Sequence, residues 1–223
     1  MFSAPALRTS RGPEFRSAKR CSVRHKPDMT REIGIDSPRR EEVEAFIRNV
    51  FAQRHDAHVA RFAPDLFLLE RPGASEKTER IVAAAGWRCA ASGPLFLETY
   101  LDDPVQKHIG GLAGQPVARE HIAEVGNLAS ASPGGGARMI LALAGHLDSL
   151  GYEWVVFTAT RELIAIFTKL GLPPLALSIA DPARLGSAAR DWGRYYDSQP
   201  VVVAGRIRQA VERMHNQPEP THA

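Results

Sequence analysis

The chain has 223 residues, a net charge of +3, two cysteines, 44% hydrophobic and 24% charged residues. That length and composition fit one globular domain with a core of its own, and they exclude a disulfide framework. The charge is uneven: Arg8, Arg11, Arg16, Lys19, Arg20, Arg24 and Lys26 against Glu14 and Asp28 make residues 1–28 net +5, leaving −2 for the rest, which gives no support to a nucleic-acid surface on the domain.

Residues 1–28 lack apolar periodicity and read as a disordered basic tail, with Met29 as the effective start. No run approaches 18 apolar residues, so no membrane span is expected. The N-terminus lacks the apolar core of a secretory signal, and a cytoplasmic location is expected. No Cys/His group has zinc spacing, so no metal is expected, and His55 with His58 reads as an exposed helix end.

Ser37-Pro38 is a helix start, an N-cap followed by proline. Val43, Phe46, Ile47, Val50 and Phe51 then form one apolar stripe on a helix of roughly five turns. Asp65–Glu70 reads as a strand, Arg71–Ser75 as a turn and Ile81–Ala90 as a second, antiparallel strand, with Gly86 at a bulge or close approach. Leu95–Leu101 reads as a third strand or a short ordered segment. Asp102-Asp103-Pro104 opens a helix that stops near Gly114.

Ile122–Leu141 organises the rest. A short apolar run passes through Ser130, Ser132 and Pro133 to Gly134, Gly135 and Gly136. A helix follows, with Ile140, Leu143, Leu147 and Leu150 at helical spacing. A strand, a glycine turn and a helix N-terminus leave backbone N–H groups unpaired in a positive field, which suits a phosphate. Tyr152–Thr158 is a buried strand. Leu163, Ile166, Phe167 and Leu170 mark a helix closed by Gly171 and Pro173-Pro174. Leu175–Ile179 is a short strand, and Asp181 begins a polar segment carrying Trp192, Tyr195 and Tyr196. Val201–Val203 is a last strand, 205–214 is helical, and 215–223 reads as a frayed tail. The glycine loop follows several strands and lacks G-x-G-x-x-G, so a dinucleotide-binding unit is excluded.

This order resembles the GNAT acyltransferases, whose Gln/Arg-x-x-Gly-x-Gly/Ala pattern cradles the coenzyme A pyrophosphate. Ser132, Gly135 and Ala137 stand at those positions, with Ser132 replacing Gln or Arg. Phe167 stands where many of those enzymes carry a tyrosine acid. The patches Pro94–Val105, Glu124–Ala129, Trp154–Thr160, Leu170–Pro173 and Trp192–Asp197 resemble the thermostable hemolysin family more closely. After Val105 this chain has Gln106 where that family commonly has Glu. The family name implies membrane lysis. Its architecture is similar to that of acyl-homoserine-lactone synthases, which implies a single-domain α/β fold with a GNAT-like mixed sheet over residues 29–214. The activity so implied is acyl transfer from a coenzyme A or acyl-carrier-protein thioester to a small amine, with an acyl carrier protein as a partner.

Such transfer needs an anchor for the donor's phosphates, a polarised carbonyl and a base. Gly134, Gly135, Gly136 and Ala137 supply the expected anchor, with Arg138 adding charge and Asn127 orienting the ligand. A glutamate at Gly135 is expected to block the site while sparing the fold. Glu98 and Glu124 are acids in apolar runs and candidate bases. Tyr195, beside Tyr196, is a candidate acid in place of the missing helix tyrosine. A non-catalytic thioester-binding module and a lytic protein are the alternatives.

Overall fold

The computed structural model describes residues 28–72 and 79–216. The tail reading for 1–27, the turn beyond Pro72 and the frayed end beyond Asn216 lie outside the described residues. Seven strands form one mixed sheet: β1 (Met29–Ile33), β2 (Asp65–Pro72), β3 (Glu79–Cys89), β4 (Ile122–Ser130), β5 (Trp154–Ala159), β6 (Leu175–Ile179) and β7 (Val201–Arg206). Their spatial order is β1-β2-β3-β4-β5-β7-β6. Among the described residues only β4 and β5 pair in parallel, joined by the right-sized crossover for such a pair, a helix. β1 was not expected: four of its five residues are exposed, so it carries no apolar alternation to read.

Among the described residues five α-helices cover the sheet: α1 (Arg40–His55), α2 (Val105–Ala113), α3 (Gly135–Ser149), α4 (Arg161–Lys169) and α5 (Ile207–His215). The stripe on α1 buries Val43, Ile47, Val50 and Phe51 against Leu66, Leu68, Ala84 and Ala129. Each such side chain contributes roughly 1.5–3 kcal/mol of transfer free energy, so the stripe fixes the helix on this face. The α2 helix covers the same face farther along, over Ile122, Trp154 and Val156. On the opposite face α3 buries Met139, Leu143 and Leu147 over Phe67, Val82 and Ala123, beside Ile207 of α5. The Ser37-Pro38 start is displaced: the first α-helical residue is Arg40, and the Ser37 hydroxyl accepts from the Arg39 N–H.

Two irregularities shape the site. The β3–β4 register shifts between Ala84 and Gly86, and Asn127 sits at φ 51° in that bulge. A bulge bends its strand. Accordingly β4 pairs with β5 only over Ile122–Val125 and Trp154–Phe157, then continues to Ser130 paired with β3 on its other edge. The two parallel strands splay, and the β5-facing edge of β4 past Val125 is left without a strand partner.

Candidate active site

The splay opens a cavity of about 1210 Å³ that touches both faces of the sheet. Gly126, Asn127 and Leu128 of β4 border it, as do Phe157 of β5 and Gly134, Gly136 and Ala137 of the glycine loop. At the other end Glu124, Arg88, Phe96, Trp192 and Tyr195 line it.

The glycine loop divides by residue. Gly134 is the N-cap of α3 at φ 71°, a conformation that favours glycine, and no side chain caps the helix. Among the described residues the N–H groups of Gly136 and Ala137 have no hydrogen-bond partner, as first-turn amides do in the absence of a cap. A Cβ at Gly136 would meet nothing closer than 3.8 Å, so the space beside it is open. Gly135 differs. It is buried, and a Cβ there would lie 2.4 Å from Ser130 Oγ and 3.2 Å from Val82 Cγ1. Gly135 therefore serves packing, and the expectation that glutamate there would spare the fold is overturned. Arg138 does not line the cavity: its Nε donates to Asp28 at 2.7 Å, and Asp28 also pairs with Arg71. A cation that does line the cavity and reaches this loop is Arg54, whose Nη2 donates to the Ser130 carbonyl at 2.9 Å. Nothing in the local sequence distinguishes Arg54 from other exposed helix residues. Only the packing of α1 on β4 brings it here.

Asn127 anchors a neighbouring loop: its Oδ1 accepts from Ala63 N–H at 3.1 Å, and its Nδ2 donates to the Arg61 carbonyl at 3.4 Å. His55 is half-buried, not the exposed helix end expected. It meets Tyr195 edge-on at 5.3 Å, and burial lowers its pKa. His58 remains exposed. The segment with Trp192 and Tyr195 forms 3-10 turns locked onto the end of α1. Arg194 N–H donates to the His55 carbonyl at 2.7 Å, and His58 N–H to the Asp191 carbonyl at 2.6 Å. A Cβ at Gly193 would stand 2.3 Å from the His55 and Asp56 carbonyl oxygens, so only glycine permits this approach.

The two candidate bases part company. Glu98 lies in a 3-10 turn, Phe96–Tyr100, and not in a strand. Its carboxylate accepts from Leu95 N–H (2.8 Å), Val105 N–H (2.9 Å) and both Arg119 terminal nitrogens (2.6 and 3.1 Å). Burial alone would raise its pKa, but Arg119 and the two amides together hold it below the ordinary carboxylate range. Arg119 also holds Gln106 Oε1 and the carbonyls of Ala90 and Gly93. Glu98 lies outside the large cavity and lines a separate, more open one together with Gln106 and Arg119. Glu124 is 8% exposed and lines the cavity. It accepts from Phe96 N–H (3.1 Å) and Leu97 N–H (2.8 Å), and burial raises its pKa despite those bonds.

Tyr195 borders the cavity, and its hydroxyl donates to the Thr158 carbonyl at 3.3 Å; burial raises its pKa. Tyr100 and Tyr196 share a short hydroxyl–hydroxyl bond nearby. Phe167 stacks on Phe157 with centroids 4.9 Å apart. Thr160 caps α4, accepting from Leu163 N–H.

A profile described as thermostable hemolysin matches residues 33–211. The chain belongs to the thermostable hemolysin family. No curated protein matches it. Among solved structures, this hemolysin-family chain is similar to TofI in a ternary complex with an inhibitor and MTA, at 14% identity and TM-score 0.55 over 86% of this chain and 98% of that one. It is similar to BjaI, a CoA-dependent acyl-homoserine lactone synthase, bound to SAM and isopentyl-CoA (14%, TM-score 0.55, 85% and 89%). It is also similar to FeeM, an N-acyl amino acid synthase from uncultured soil microbes (12%, TM-score 0.52, 86% and 96%). At these identities the likeness establishes the fold alone, a mixed α/β sheet flanked by helices that is shared with those synthases. Among the described residues no helix is long and apolar enough to cross a membrane.

Proposed function

We propose that this hemolysin-family protein is an acyltransferase that moves an acyl group from a coenzyme A or acyl-carrier-protein thioester to a small amine. One observation carries the reading. The splay of β4 from β5 joins unpaired loop amides and a buried glutamate in a single cavity. The open space at Gly136 and its free N–H fit a pyrophosphate. Arg54 adds positive charge beside it. The unpaired edge of β4 between Gly126 and Ser130 offers a backbone N–H to the thioester carbonyl, as an oxyanion donor.

Glu124 takes the proton. Its raised pKa brings it toward neutrality, where a general base works best. Tyr195 forms a wall of the pocket rather than the acid, because burial makes its hydroxyl hold its proton more tightly. No phenol is needed at Phe167 either: a thiol's pKa of about 8.5 makes thiolate a tolerable leaving group.

Thermal shift tests the reading, because a ligand that prefers the native state raises its stability. Coenzyme A and decanoyl-coenzyme A should each raise Tm, and liposomes should not leak on addition of protein. Dye release without any coenzyme protection would replace this reading with the lytic one.

A further inference from the structure

Arg88 and Glu124 are direct cross-strand partners in the β3–β4 register. Side chains so paired stand on the same face with Cβ atoms about 5 Å apart. Opposite charges there would ordinarily form an ion pair. Here they do not: among the described residues Arg88 makes no salt bridge, and Glu124 is turned to the Phe96 and Leu97 amides. Arg88 is half-buried, its Nε is fully buried without a hydrogen-bond partner, and it lines the same cavity as Glu124. A guanidinium in that state lacks its normal complement of acceptors.

The other cations on the cavity wall are accounted for differently. Arg54 donates to the Ser130 carbonyl, Arg184 to Leu101 and Asp102, and Arg206 stacks on Trp154. Arg61 and Lys169 are exposed to solvent. Among the described residues of the cavity wall, Arg88 alone combines a buried unpaired nitrogen with a carboxylate directly across the strand pair.

We propose that Arg88 and Glu124 select a zwitterionic acceptor, an α-amino acid whose carboxylate pairs with Arg88 and whose ammonium meets Glu124. This rests on the acyl-transfer reading and names the acceptor class. The planar fork of arginine matches a carboxylate bidentately. Phe96, Trp192 and Tyr195 surround that end of the cavity and suit an apolar or aromatic side chain on the amino acid. The step balances. The ammonium gives one proton to Glu124, and the free amine attacks the thioester carbonyl carbon. The C–N bond forms, the C–S bond breaks, and the departing sulfur carries off the second nitrogen proton as a thiol. The product is an N-acyl amino acid, and Glu124 returns its proton to solvent.

The test compares acceptors that differ only in the carboxylate: tyrosine with tyramine, tryptophan with tryptamine, histidine with histamine. Thiol release from decanoyl-coenzyme A reports turnover, and Tm of the thioester-free protein reports acceptor binding. At least one amino acid should raise Tm and exceed its amine in kcat/KM by ~10²-fold, since a buried charge would otherwise stay unpaired. Arg88→Gln should erase that preference through the amino acid's KM, lowering the amino acid's kcat/KM far more than the amine's, and should leave a protein that decanoyl-coenzyme A still protects. Arg88→Lys should restore part of it. Equal use of amines and amino acids, or an equal loss for both in Arg88→Gln, overturns the proposal and leaves acyl transfer standing. Absence of turnover, of acceptor protection and of coenzyme protection overturns both.

Discussion

Glu98 and Glu124 are the same residue in two settings. Glu98 sits among four donors, two amides and the two terminal nitrogens of a guanidinium, and Glu124 sits between two amides at the edge of a cavity. Both are largely buried, yet their pKa values move in opposite directions. Burial alone does not make a base. What matters is whether fixed donors already satisfy the charge. A carboxylate saturated by donors ties elements together, whereas one short of donors has a reason to take a proton.

The sharpest way to break this contrast is to neutralise each acid. Glu124→Gln should leave the fold intact and slow acyl transfer by ~10² or more. Glu98→Gln should leave kcat within a few-fold and destabilise by about 2 kcal/mol, because Arg119 loses its charged partner in a part-buried cluster. The reverse pattern, with Glu98→Gln inactive but stable, would move the chemistry from Glu124 to Glu98.

A second contrast lies inside the glycine loop. Gly136→Glu places a carboxylate beside the free amides, and coenzyme protection should disappear while Tm changes little. Gly135→Ala forces a methyl group against Ser130 and should destabilise by ~1–3 kcal/mol, as overpacking does. Coenzyme protection that survives in folded Gly136→Glu would remove the phosphate site from this loop.

Acidity gives the smallest effect and the finest resolution. Glu98 has a folded pKa below its ordinary 4.5. Its contribution to stability is complete above that value and is lost as pH falls through the folded pKa. The stability gap between the parent and Glu98→Gln should therefore narrow in acid. Glu124 has a folded pKa above 4.5. Its protonated form stabilises at low pH, that contribution fades as pH rises through the folded pKa, and activity should rise across the same window. Urea unfolding and kcat/KM profiles over pH 3–8 measure both trends. A rising activity limb centred at or below the ordinary carboxylate value would count against Glu124 as the base.

Much of the frame was legible in the sequence, because periodic burial is written one residue at a time. The stripe on α1, the run into β4 and the pattern of α3 lie where their apolar spacing puts them. The glycine loop was visible for a similar local reason: it needs φ of 71° at Gly134 and an approach without a side chain at Gly136. β1 was invisible because it is an exposed edge, held by backbone bonds to β2 that any sequence can make. Tertiary structure decided the rest. Arg54 reaches Ser130 across 76 residues, Arg88 faces Glu124 across 36 residues of chain, and Glu98 meets Arg119 only because a 3-10 turn folds back. An acid in an apolar run looks the same in either environment. Its proton affinity belongs to the donors and charges that folding brings around it, and those come from distant parts of the chain.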